Sequence, residues 1–158
     1  WQSSMSKYEE AGDTEGVGKI LGNLGVVYNN QGYDSKALEM YLKSLSIAEE
    51  ISDTSTIRTA YNNIGLIYSK KKITQDLALE NYAKALMLSE ETNDIEGIGT
   101  QSFNIGEIYF GRGQTEMAQE YFLKSKLAFR SIDDANIAPS LIYLGKIYLE
   151  NGEFDRAI

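Results

Sequence analysis

Ile64-Gly65-Leu66-Ile67-Tyr68 is one of four copies of a short signature, and its recurrence decides the fold. The other copies are Leu24-Gly25-Val26-Val27-Tyr28, Ile105-Gly106-Glu107-Ile108-Tyr109 and Leu144-Gly145-Lys146-Ile147-Tyr148. Successive glycines lie 40, 41 and 39 residues apart. Self-similarity at a period of about 40 residues marks an array of helical or strand-based units, none of which can bury its apolar face alone. Such an array turns the search for function away from a catalytic pocket and towards an extended binding surface.

Counted from each glycine, apolar residues occupy −8, −4, −1, +2 and +3 in nearly every unit. The first unit supplies Val17, Leu21, Leu24, Val27 and Tyr28, and the second Ile57, Tyr61, Ile64, Ile67 and Tyr68. The fourth supplies Ile137, Leu141, Leu144, Ile147 and Tyr148. These intervals describe one face of an α-helix, helix A. A second amphipathic segment, helix B, follows each. It reads Ala37, Leu38, Tyr41, Leu42, Leu45, Ala48 in the first unit, then Ala78, Leu79, Tyr82, Leu86, Ser89, then Ala118, Tyr121, Phe122, Leu127, Phe129.

The punctuation fits. Ala37, Ala118 and Ala157 fall 12 residues after their glycine and Ala78 falls 13 after, so a one-residue insertion is expected in the turn around Lys71, Lys72 and Ile73. A turn is where an insertion costs least. Gly12-Asp13-Thr14, Ser52-Asp53-Thr54, Asn93-Asp94 and Asp133-Asp134 offer side-chain acceptors to cap each following helix. Gly32, Gly113 and Gly152 suit left-handed helix ends between A and B. Helices are expected over 1–11, 14–30, 34–51, 54–70, 75–91, 94–111, 115–131, 135–151 and 154–158. Pro139 falls inside the last helix A, so that helix either starts late, with Asn136 as its cap, or bends.

Gly25, Tyr28, Ala37 and Tyr41 match, in order, the small and large packing positions of the tetratricopeptide repeat. Gly65, Tyr68, Ala78 and Tyr82 match them again, as do Gly106, Tyr109, Ala118 and Phe122. The chain therefore resembles that family, in a variant whose helices are about a turn longer than in the common 34-residue form. Arrays of this variant are similar to those of Pins-type polarity adaptors, kinesin light chains and bacterial regulatory proteins. The resemblance implies an all-α, right-handed α-solenoid of stacked helix-turn-helix units. Residues 1–12 would end a preceding helix B, with full repeats at 13–52, 53–93 and 94–133 and a partial repeat at 134–158. Trp1 is not Met and both ends fall within a repeat, so the chain is expected to be a piece of a longer protein. Exposed apolar repeat ends would then favour head-to-tail stacking between molecules.

Composition narrows the chemistry. The net charge is −8, which argues against non-specific nucleic-acid or anionic-membrane binding. No apolar run is long enough to span a bilayer. With no Cys and no His, disulfides, thiolate catalysis and the commonest zinc ligands are excluded. Gly16-Val17-Gly18 lacks the preceding strand of a dinucleotide fingerprint, and Gly97-Ile98-Gly99 repeats it at the same phase, so these glycines belong to the array. No cofactor or metal is expected, and no enzymatic activity. The compartment stays open, with the cytoplasm favoured.

Family geometry implies that helix A lines a concave groove, on the stripe at −6, −2, +1 and +5. The stripe carries Asn23, Asn63 and Asn104, all two residues before the repeat glycine, with Asn30 and Lys70 at +5. An amide side chain holds donors and an acceptor, so a row of them can bond a peptide backbone regardless of its sequence. The same amides could instead cap or bridge neighbouring helices. Tyr143 replaces the Asn in the fourth unit. The adjacent stripe becomes apolar late, at Phe103, Phe110, Ile142 and Leu149, which suits either an anchor pocket for a partner or packing between A helices. The carboxylate clamp of chaperone cochaperones wants a Lys at −3 where this chain has Gly22, Asn62 and Phe103, so chaperone-tail binding is rejected. Acidic pairs at Glu9-Glu10, Glu49-Glu50 and Glu90-Glu91 read as solvated faces. The function expected is a protein-interaction scaffold holding an extended peptide or partner helix. The alternative is a sensor or regulatory segment of a bacterial signalling protein whose output domain is absent.

Overall fold

The computed structural model describes residues 11–157, so the helix expected over 1–11, with its Glu9-Glu10 pair, and the final residue lie outside the described residues. Among the described residues the chain is all-α, without strands. The helices are α1 (Thr14–Asn30), α2 (Asp34–Glu50), α3 (Thr54–Ser69), α4 (Gln75–Glu91), α5 (Ile95–Gly111), α6 (Thr115–Ser131), α7 (Ile137–Glu150) and α8 (Phe154–Ala157). Odd-numbered helices are the A helices and even-numbered ones the B helices. This is the helix-turn-helix repeat architecture the sequence points to.

One turn design ends each B helix and starts the next A helix. Ser52, Asn93 and Asp133 take left-handed φ values of 58°, 53° and 52°. Asp53 and Asp94 then donate their backbone N–H to Ala48 O and Ser89 O at 2.9 and 2.8 Å, a Schellman-type closure that satisfies orphan helix carbonyls. The side chains of Asp13, Asp53 and Asp94 accept from Gly16 N, Thr56 N and Gly97 N at 2.8, 3.2 and 3.1 Å, capping α1, α3 and α5. Between A and B, Gly32, Gly113 and Gly152 take φ of 78°, 71° and 74°. The second repeat departs from this. A short 3₁₀ turn, Lys72–Thr74, absorbs the extra residue, held by the Thr74 hydroxyl donating to Tyr68 O at 2.6 Å. Its tip, Ile73, is 91% exposed. Of the two alternatives at Pro139, the late start holds: α7 begins at Ile137 and places the proline in its first turn. Asn136 occupies the cap position without a side-chain bond, while Asp134 Oδ1 accepts from Asn136 N at 2.8 Å.

The chain divides between Ala85 and Leu86, within α4, into two compact units. The first has a core of Ala37, Tyr41, Leu45, Ala60, Ile64 and Ile67. The core of the second is Ala118, Phe122, Leu144, Ile147 and Tyr148.

Three of the four repeat glycines, Gly25, Gly65 and Gly106, are sockets for rings. A Cβ built on Gly25 would stand 2.5 Å from Tyr41 Cε1. One on Gly65 would stand 2.7 Å from Tyr82, and one on Gly106 2.8 Å from Phe122. Tyr41, Tyr82 and Phe122 are at most 1% exposed, so each B helix presses a buried aromatic face onto its A helix. A second close contact recurs two helix turns away, where Gly18 meets Ile47 and Gly99 meets Phe129.

Several core assignments need correction. Residues at −5 (Ile20, Ala60, Gln101 and Ser140) are all buried, although Gln101 and Ser140 disguise that position in the sequence. Buried hydroxyls pair across helices: Ser44 donates to Gly18 O and Ser140 to Ser125 Oγ, each at 2.8 Å. Leu42 and Leu127, read as core on helix B, are exposed because both point off the face that meets helix A. Leu141, read as core on α7, is 44% exposed.

Candidate functional site

In the first unit, α1 and α3 flank an open cleft of about 290 Å³. Asn23 and Asn63 both line it, together with Lys19, Val26 and Thr59. All five lie on the stripe expected to face a groove, and the buried Tyr41, Ser44 and Ala60 close its inner side. The inner wall was not legible as such, since Tyr41 reads as core and Ser44 as a polar helix residue. The one hint was the small Gly22, whose missing side chain leaves Ser44 reachable from the cleft.

The cleft's polar groups differ in readiness. Asn23 is exposed, and its amide has no partner among the described residues. Asn63 is half-buried, and its Oδ1 accepts a long 3.4 Å bond from Asn62 Nδ2, leaving its own N–H₂ directed elsewhere. Lys19 pairs with Glu15 one turn away; that hydrogen bond holds its pKa above the usual lysine value, and the ammonium stays charged. Such a site presents amide donors and acceptors and one cation over a mixed floor. It holds no nucleophile–base pair, and among the described residues no cluster of three or more acidic groups could hold a metal ion.

Lys70 is committed to the fold. Its Nζ donates to Asn29 Oδ1 at 2.6 Å and to Asp34 Oδ1 at 2.5 Å, tying the end of α3 to the turn between α1 and α2. Asn30 stands exposed at the end of α1.

In the second unit Asn104 is half-buried on α5. Phe103, Phe110 and Tyr143 gather round the buried Phe122. The Tyr143 ring stacks on Phe122 at 4.7 Å and 13°, with Phe110 edge-on at 5.1 Å and Phe103 at 5.8 Å. Tyr143 thus closes an aromatic cluster at the phase where the first unit has its open amides. Its hydroxyl donates to Glu107 Oε1 at 2.9 Å. Burial, then that carboxylate, pushes the phenol's pKa up. Ile142 and Leu149 remain 59% and 55% exposed on α7. They line a second cleft of about 530 Å³ with Leu141, Tyr148 and Gly145, whose charged lining residues are Lys126, Lys146 and Arg156. No helix among the described residues is long and apolar enough to cross a membrane.

Two segments, residues 17–54 and 102–127, match family models described as tetratricopeptide repeat. No curated protein sequence matches the chain. Among solved structures, BtubC (BKLC) from P. vanneervenii superposes with a TM-score of 0.80 at 21% identity, over 92% of this chain and 60% of that one. The apo form of RapI superposes with a TM-score of 0.86 at 18% identity, over 96% of this chain and 42% of that one. The chain therefore spans well under two thirds of either structure, and at these identities the likeness concerns the fold alone.

Proposed function

We propose that this chain, an array of tetratricopeptide repeats, is a non-catalytic scaffold that holds an extended peptide or partner helix against its A helices. The observation that carries this reading is the cleft between α1 and α3, where Asn23 and Asn63, one repeat apart, line the same space. A polar amide that recurs on a shared cleft is suited to backbone N–H and C=O groups, which every peptide offers at regular intervals. Asn104 lies at the same phase in the second unit, half-buried on α5. Ile142 and Leu149, exposed on α7, would anchor apolar side chains of the partner, with the half-buried Phe103 and Phe110 on α5. Net charge −8 favours a neutral or basic partner and disfavours nucleic acid.

The test is selection of a binding peptide from a random displayed library, followed by anisotropy titration of that peptide. Loss of two amide hydrogen bonds at about 0.5–1.5 kcal/mol each should weaken binding to the Asn23→Ala/Asn63→Ala double variant by roughly 5- to 150-fold. Unchanged affinity would sink the amide row.

A second reading, a sensor or regulatory segment of a bacterial signalling protein, is favoured by the coverage, since matched chains continue well beyond the aligned part. Under that reading selected peptides would come from the parent chain's own flanking sequence.

A further inference from the structure

The cleft between α1 and α3 has an unused hydrogen-bonding group at its floor. Tyr41 lines the cleft and is only 1% exposed, yet its hydroxyl bonds to no described residue. Burial alone pushes this phenol's pKa up, whereas Tyr61 and Tyr143 each bond a glutamate as well. The sealed side-chain oxygen that lacks a partner among the described residues is Ser102 Oγ, so the Tyr41 hydroxyl opens on the cleft its ring lines. Packing does not require that hydroxyl. Phe122 fills the socket over Gly106 at the same phase, fully buried, without one.

Gly22 points to the same floor. Three residues before the other repeat glycines the chain carries Asn62, Phe103 and Ile142. A glycine inside a helix is destabilising relative to alanine. Here a Cβ would stand 3.2 Å from Ser44 Oγ, so the missing side chain leaves that oxygen reachable. Ser44 donates its proton to Gly18 O, which leaves the oxygen as an acceptor. At about 290 Å³ the cleft lies at the small end of ligand pockets, roughly 300–1,000 Å³, which is room for a partner's side chain.

We propose that this cleft is a side-chain pocket for a carboxamide, the glutamine or asparagine of a bound peptide, with the Tyr41 hydroxyl donating to its carbonyl and Ser44 Oγ accepting from its N–H₂. The inference rests on the peptide-groove reading and adds a sequence preference to it, which main-chain bonds to Asn23 and Asn63 do not supply. A carboxylate would offer no donor to Ser44. It would also meet Glu15, Asp53 and Asp13, whose charges already surround Lys19. An ammonium group would stand beside Lys19 and offer no acceptor to Tyr41. A carboxamide carries both partners and no charge.

Peptides selected on the full chain from a random displayed library should share a glutamine or asparagine at one position. In anisotropy titrations, replacing that residue with methionine or glutamate should weaken binding about fivefold or more, the effect of a buried hydrogen bond left unmade. Tyr41→Phe removes only the hydroxyl and should melt no lower than the unaltered chain. Against it the preference for glutamine over methionine should shrink by about fivefold or more. Gly22→Ala, which sets a methyl group over Ser44, should erode the same preference, and it decides the matter if Tyr41→Phe melts lower. If no peptide is selected, the groove reading falls and the pocket with it. Peptides that bind through Asn23 and Asn63 with no amide side chain in common overturn the pocket alone. So does a glutamine preference that a stably folded Tyr41→Phe leaves intact.

Discussion

Replacing Gly25 with alanine separates packing from helix propensity. Within a helix, Gly→Ala by itself stabilises by about 1 kcal/mol. At Gly25 the new methyl would stand 2.5, 2.6 and 3.0 Å from Cε1, Cδ1 and Cζ of Tyr41. Carbon–carbon contacts settle near 3.5–4.0 Å, so the ring must retreat by roughly 1 Å. Tyr41 is only 1% exposed and packed among the core residues Ala37, Leu45, Ala60 and Ile64, so it has nowhere to go without moving α2. Overpacking costs about 1–3 kcal/mol, and for a ring that cannot retreat the upper part of that range, about 2–3 kcal/mol, applies; less the helix gain of about 1 kcal/mol, the net destabilisation is roughly 1–2 kcal/mol. Urea unfolding followed by backbone circular dichroism measures it. The internal control is Gly111→Ala, where nothing lies within 4 Å and stability should hold or rise. In a Tyr41→Leu background, which removes the ring, the cost of Gly25→Ala should largely vanish. An unfolding midpoint for Gly25→Ala at or above that of the unaltered chain, or an equal cost with and without the ring, refutes the socket argument.

Three further outcomes follow from buried and capping groups. Ser102 Oγ is buried with no partner among the described residues, so Ser102→Ala should raise stability by about 1 kcal/mol in the same urea assay. Ser125 and Ser140 satisfy each other at 2.8 Å; Ser140→Ala should cost about 1–3 kcal/mol, and adding Ser125→Ala should cost little more, which a double-mutant cycle reads directly. The Thr56 hydroxyl, above all, holds the Asp53 carboxyl below its ordinary 3.8. A lowered folded-state pKa means its stabilisation is complete above the unfolded value and is lost as pH falls through the folded one. Thermal melts should therefore show Asp53→Asn converging on the unaltered chain below about pH 3.8, while Asp53→Ala, which loses the cap, stays about 1 kcal/mol less stable at neutral pH.

Local chemistry made most of the fold legible. Asp13, Asp53 and Asp94 cap their helices as their turn positions demand, because a cap needs only its own segment's backbone. The insertion near Ile73 was equally readable by phase counting, whereas at Pro139 the sequence left a late start and a bend both open, and the structure decided for the late start. What stayed hidden depended on neighbours. Gln101 and Ser140 sit at a buried phase, yet a polar residue on a wheel cannot announce that a facing serine will satisfy it. Lys70 reads as a groove cation, but Asp34 and Asn29 on adjoining segments claim it.

The sequence by itself determined the period, the helices and the aspartate caps of α1, α3 and α5. Those follow from spacing along one chain and from the small number of backbone conformations a residue allows. Only the tertiary structure decided which members of an equivalent row are available. Asn23 and Asn63 share an open cleft while Tyr143, at the same phase, is drawn into an aromatic cluster. Equivalent phases acquire unequal surroundings because burial is set by what the next helix brings, and that neighbour lies tens of residues away in the chain.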